Sequence, residues 1–111
     1  KTVALAEPIR AAIEPLADRV ELALLYGSVV KGMDTATSDI DILIVAEGVT
    51  LEDVYSALEP VEADLERKIS PTLYTPQEFA DRKAADNPFV ARVLAGEHLV
   101  LIAKKNEPSE A

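Results

Sequence analysis

The sequence predicts an α/β (α+β) fold, a mixed β-sheet with helices packed largely on it. Three observations point there. Short apolar runs bounded by Gly, Pro or small polar residues recur at 20–26, 39–46, 68–74 and 98–103, and read as strands. Segments with apolar residues at helical spacing separate most of them. Helix start signals, Ser, Thr or Asn ahead of an apolar run, precede several of those segments. Strands alternating with helices imply a sheet with crossover helices on it.

Residues 3–14 place Leu5, Ile9, Ala12 and Ile13 on one helical face, and Pro15 ends or kinks that helix. Val20–Tyr26 is an apolar strand that stops at Gly27. Residues 28–32 form a short connector or helical turn, and 34–38 ("DTATS") has loop chemistry. Residues 39–46 form the second strand. Thr50 then caps a helix, with Asp53 completing a capping-box variant, and Leu51, Val54, Leu58, Val61 and Leu65 line one side. Pro60 interrupts that pattern, and a kink or restart is expected there. Residues 68–74 alternate, with Ile69 and Leu73 on one side and Ser70, Thr72 and Tyr74 on the other. Pro71 predicts an edge strand or an irregular spot. Thr75, followed by Pro76 and Glu78, starts a helix to about Ala85. Asn87 caps a helix over 88–95 that ends at Gly96. "HLVLIA" (98–103) is the last strand. The expected domain is 1–105, with a polar, mobile tail over 106–111.

The 111 residues suit one domain, and 49% apolar content favours a packed core over disorder. A net charge of −9 disfavours bulk attraction to nucleic acid or anionic lipid, so direct nucleic-acid binding by this domain alone is expected to be weak. It does not exclude a local phosphate site. Without cysteine there is no disulfide and no Cys-based zinc site, which suits a cytoplasmic setting. No apolar run approaches the roughly 20 residues of a membrane span, and no signal peptide is visible. The chain begins with Lys1 rather than Met, which fits a fragment or a processed chain with a partner domain ahead of it.

The chemistry concentrates in "LLYGSVVKGMDTATSDIDILI", residues 24–44. Asp39 and Asp41 stand two apart in an otherwise apolar strand, so they share a face, about 7 Å apart along it. Carboxylates in such surroundings are costly unless paired, and a metal ion is one candidate partner. Two convergent carboxylates can hold Mg²⁺, a hard cation that takes oxygen ligands. Upstream, Gly27 lets the backbone approach a ligand, and Ser28 adds a hydroxyl and begins a turn whose N–H groups can face an anion. Lys31 is a nearby cation and Gly32 permits a tight turn. Metal ligands, backbone donors and a cation together describe a nucleoside triphosphate site.

"YGSVVKG" followed by "SDIDILIV" resembles the DNA polymerase β nucleotidyltransferase superfamily, specifically its minimal nucleotidyltransferase members. Their signature is Gly-Ser, a further glycine, then Ser-Asp-x-Asp leading an apolar strand. The resemblance implies a polymerase-β-like nucleotidyltransferase core. It implies that Gly27, Ser28 and Gly32 cradle a triphosphate and that Asp39 and Asp41 bind Mg²⁺, with Lys31 and Ser38 matching the basic residue and the serine of the motif. It extends over nearly the whole chain. "SPTLYTPQEF" and the closing "FVARVLAGEHLVLIA" look like a subgroup in which the domain follows a winged-helix DNA-binding domain; other small members pair with an all-helical HEPN partner in toxin–antitoxin operons.

One departure from the family pattern stands out. Active members usually present a third carboxylate from the neighbouring strand, as general base or second-metal ligand. Here the facing positions carry Ser70 and Thr72. Glu66 and Glu78, near the strand ends, are the candidate substitutes. Each motif also has a plainer reading. The aspartates could be solvated strand-start residues, the Gly-Ser an ordinary strand-to-helix turn, and Lys31 an exposed charge. His98 is read as a structural or surface residue, and Tyr26 and Tyr74 as packing residues. Two functions follow: a Mg²⁺-dependent transfer of an NMP group from an NTP to a hydroxyl of a protein or nucleic acid, or a catalytically weak or inactive nucleotide-binding regulatory module. A scaffold that uses the fold for protein contacts alone is a third.

Overall fold

Helix α1 (Thr2–Ile13) gives way at Pro15 to a 3₁₀ segment, Glu14–Arg19. Proline has no N–H for the next α-helical bond and its ring crowds the preceding turn, so the chain tightens instead of continuing. The computed structural model describes residues 2–27, 30 and 39–104. After the 3₁₀ segment come β1 (Val20–Tyr26), β2 (Ile40–Ala46), α2 (Leu51–Leu65), β3 (Ile69–Tyr74), α3 (Pro76–Ala84), α4 (Pro88–Ala95) and β4 (His98–Ala103). The strands form one mixed sheet in the order β3-β2-β1-β4. β1 is antiparallel to both β2 and β4, while β2 and β3, joined through α2, run parallel. This is the mixed sheet with helices packed on it that the sequence predicts. β3 is an edge strand, as Pro71 requires.

Alternation along the strands sorts the apolar residues into two layers. Ile40, Ile42, Ile44 and Ala46 point to one face with Ala23 and Leu25, and are buried against Ile9 and Ile13 of α1 and Val54, Leu58 and Val61 of α2. Val20 joins them although strict alternation would put it with Leu22; the register shifts between Val20 and Leu22, which turns Val20 inward. Leu24, Leu43 and Val45 point the other way and pack beneath Phe79 of α3 and Val90 and Val93 of α4.

The caps form as read. Thr50 Oγ1 accepts from Asp53 N and Asp53 Oδ2 accepts from Thr50 N, both at 3.0 Å. Thr75 and Glu78 repeat the box, and Asn87 Oδ1 accepts from Val90 N at 3.1 Å. Pro60 departs from expectation, because α2 runs through it from Leu51 to Leu65. Pro60 is exposed and lines an outer groove with Ser56, the residue whose carbonyl loses its helical donor. A carbonyl on the solvent side can bond water instead, so the helix tolerates the proline there. Leu51 also departs from the buried face, at 43% exposure. Among the described residues, no helix is long and apolar enough to cross a membrane.

Candidate functional site

The two short helices α3 and α4 cover only part of their face. β2 enters from an end that neither helix covers among the described residues, where Asp41 is half-buried, and two residues later Leu43 is fully buried. Asp39 lies just ahead of the strand, which begins at Ile40, and is exposed. The open end of the face therefore gathers the end of β1 and the starts of β2 and β3. Tyr26 pairs with Asp41, and Asp41 with Ser70.

Gly27 follows β1 with φ of 84°, in the left-handed region that favours glycine. A Cβ at this position would sit 2.6 Å from Asp41 Oδ2. The glycine suits this backbone conformation, and a side chain in its place would displace the Asp41 carboxylate. Its carbonyl accepts from Val30 N at 3.2 Å, which starts a turn away from the strand.

The electrostatics of the pair follow from this placement. Burial pushes the Asp41 carboxyl above its ordinary value, and the charge of Asp39 pushes it in the same direction. Among the described residues, Asp39 is the one charge that acts on Asp41. Ser70 Oγ donates to Asp39 Oδ2 at 3.0 Å. Tyr26 reaches across β2 to hydrogen-bond the Thr72 side chain; its phenol is pushed up chiefly by burial, against the effect of that bond, with Asp41 adding to the rise.

These groups fit a divalent cation. Two carboxylates, with the charge of Asp39 raising the proton affinity of Asp41, meet beside a backbone cradle that a side chain would fill. Among the described residues, no group of three or more His, Cys, Asp or Glu is gathered. Two carboxylates completed by substrate oxygens is a usual arrangement for Mg²⁺, which rarely sits in an all-protein cage.

Of the residues singled out by sequence, the structure brings together Gly27, Asp39 and Asp41. Ser28, Lys31, Gly32 and Ser38 lie outside the described residues, as does the tail 106–111. The two facing positions on β3 carry Ser70 and Thr72 as read, and both are engaged, with Asp39 and Tyr26. The suggested substitutes do not join them. Glu66 is the exposed left-handed C-cap of α2, and the Glu78 carboxylate accepts from Thr75 N at 2.9 Å in the cap of α3. His98 is engaged with its own turn, Nδ1–H donating to Gly96 O at 3.0 Å. The sequence reading missed a cleft beside Gly27, formed with Phe89, Arg92 and Glu97. The alternation of Tyr26 with Leu24 indicated its side of the sheet, but nothing local placed α4 against it.

Residues 10–107 match the family model described as "Polymerase beta, Nucleotidyltransferase". No curated protein matches the chain. Among solved structures, the crystal structure of a toxin–antitoxin with AMP-PNP is similar, with a TM-score of 0.63 at 15% identity over 90% of this chain and 74% of that one. A toxin–antitoxin MntA–HpeT mutant gives a TM-score of 0.63 at 13% identity, over 90% of this chain and 74% of that one. At such identities the likeness concerns the fold.

Proposed function

Because the chain belongs to the polymerase β nucleotidyltransferase family, with the fold of its minimal nucleotidyltransferase domains, we propose that it transfers an NMP group from an NTP to a hydroxyl of a protein or nucleic acid, with Mg²⁺ as cofactor. One observation carries the reading. Gly27, in a conformation that only glycine adopts easily, lies against the Asp41 carboxylate at the uncovered end of the sheet, where Asp39 adds its charge.

Asp39 and Asp41 would hold the metal, which when bound supplies charge neutralisation and polarisation of the phosphoryl group. Gly27, Ser28 and Gly32 would cradle the phosphates, with Lys31 and Ser38 beside them. Ser70 keeps the Asp39 carboxylate oriented through its hydroxyl. The Tyr26–Thr72 bond holds the Tyr26 side chain beside Asp41. A toxin–antitoxin among the structures with this fold supports a protein partner, which we take to be of HEPN type; a preceding DNA-binding domain is the other arrangement the sequence suggests.

A second reading rests on Ser70. It occupies the β3 position paired with Asp41, where an acid would serve as general base, and a serine cannot fill that role at neutral pH. In that case the domain binds Mg-NTP and regulates its partner with little or no turnover.

Incubation with α-labelled NTPs, Mg²⁺ or Mn²⁺ and a cell extract separates the two. Labelled product that disappears in Asp41→Asn supports transfer. No product from any of the four NTPs, with nucleotide binding intact, selects the regulatory module.

A further inference from the structure

A cleft of about 200 Å³ opens on the β1 side of the aspartates, lined among others by Tyr26, Gly27, Phe89, Arg92 and Glu97. Gly27 belongs both to this cleft and to the contact with Asp41. We infer that the cleft receives the base of the nucleotide, a purine in preference to a pyrimidine, with Phe89 and Arg92 as the residues that grip it. The inference rests on the triphosphate reading above and adds to it the part of the substrate that reading leaves unplaced.

Size, chemistry and position all favour a base. The volume falls below the ~300–1,000 Å³ of pockets that enclose a whole small molecule, so it suits one planar ring system whose remainder lies outside. Phe89 is half-buried and meets Tyr26 edge to face, at 5.7 Å and 76°, which holds its ring in place. Arg92 is exposed on α4, and its flat guanidinium can lie against a heterocycle as well as donate to ring nitrogens and carbonyls. Glu97, just ahead of β4, can accept from the amino or imino hydrogens of a base edge. Stacking on these groups rises with ring area, hence the purine preference.

The sheet order separates this cleft from the β3 edge. β4 and the cleft lie on one flank of β1, while Asp39 and Ser70 lie on the other, towards the β3 edge. A nucleotide whose phosphates sit at Gly27 can place its base in the cleft and leave the β3 flank open for an incoming hydroxyl.

The test compares ligands with and without a base. The chain is titrated calorimetrically with Mg-tripolyphosphate and with Mg-ATP, Mg-GTP, Mg-CTP and Mg-UTP, as wild type, Phe89→Leu and Arg92→Ala. The expected result is that the purine triphosphates bind about tenfold or more tighter than tripolyphosphate. Each variant should lose about five- to tenfold of that margin while its tripolyphosphate affinity stays unchanged. Arg92 is exposed, so its variant tests the inference even if Phe89→Leu perturbs folding. Equal affinities for NTPs and tripolyphosphate in the wild type overturn the base site while leaving the triphosphate site intact. So do variants that both bind every NTP as the wild type does. Equal loss of tripolyphosphate and NTP binding in Arg92→Ala overturns it in favour of a phosphate contact. A wild type that binds neither ligand overturns this inference and the triphosphate reading together.

Discussion

The two faces of the sheet are built from the same four strands but are covered differently. On one face two longer helices, α1 and α2, lie along the sheet, and Ile40, Ile42, Ile44 and Leu25 are completely buried. On the other, α3 and α4 have nine and eight residues and shelter Leu43 and Val45 but leave Asp41 half-buried. Burial on the first face is the main source of stability, at roughly 25 cal/mol per Å² of apolar surface. The second face gives up part of that gain. Its open end holds a half-buried Asp41 whose ionisation is opposed by burial and by the charge of Asp39, a cost that a bound cation would offset. Like charges left uncompensated, among the described residues, at one end of a face point to a functional role for that end.

Substitutions on each side can break or sharpen this contrast. The largest effect is expected from placing an acid at the β3 position paired with Asp41. Ser70→Asp should raise the initial rate of labelled NMP transfer by about 100-fold if proton removal limits turnover. An unchanged rate would show that the acceptor brings its own base or that another step limits. On the covered face, Leu58→Ala should lower unfolding free energy by about 3 kcal/mol, read as a lower urea midpoint at constant m-value, with Mg-NTP affinity of the folded protein unchanged. Gly27→Ala should do the reverse. It should cost only about 1–2 kcal/mol from the positive φ, yet displace Asp41 and abolish nucleotide binding.

Smaller effects test the charges. Asp41 has a raised carboxyl in the folded chain, so its contribution is fully present below the unfolded value and is lost as pH rises through the folded one. At neutral pH the ionised group therefore opposes folding, weakly because of solvent screening. In metal-free buffer, Asp41→Asn should raise stability by about 0.5 kcal/mol, seen as a melting temperature higher by a few degrees. Asp53 has the opposite sign. Backbone donation from Thr50 holds its carboxyl below the usual value, so its stabilisation is present at neutral pH and is lost as pH falls through the folded value. Thermal melts of Asp53→Asn and wild type should differ at pH 7 and converge in acid.

Much of this contrast can be read from the sequence because it is local. The caps at Thr50, Thr75 and Asn87 depend on residues three apart, and the alternation of Ile40, Ile42 and Ile44 with Asp41, Leu43 and Val45 assigns both faces of β2. The glycine and the aspartate pair could be named for the same reason. Long-range contacts were hidden. Ser70 meets Asp39 across 31 positions, through a parallel register that no local pattern encodes. The Tyr26–Thr72 bond spans the whole of β2, and the cleft needs α4 laid beside the end of β1. The continuity of α2 through Pro60 depends on which side of the helix faces solvent, a tertiary property.

The central claim is that the costly end of the open face is a metal–triphosphate site. Calorimetric titration of Mg-ATP into the wild-type chain and Asp41→Asn, with a magnesium-free control, tests it most directly. The account predicts binding that needs magnesium and is lost in a variant that melts no lower than the wild type. Equal binding by both proteins, or binding indifferent to magnesium, would contradict it.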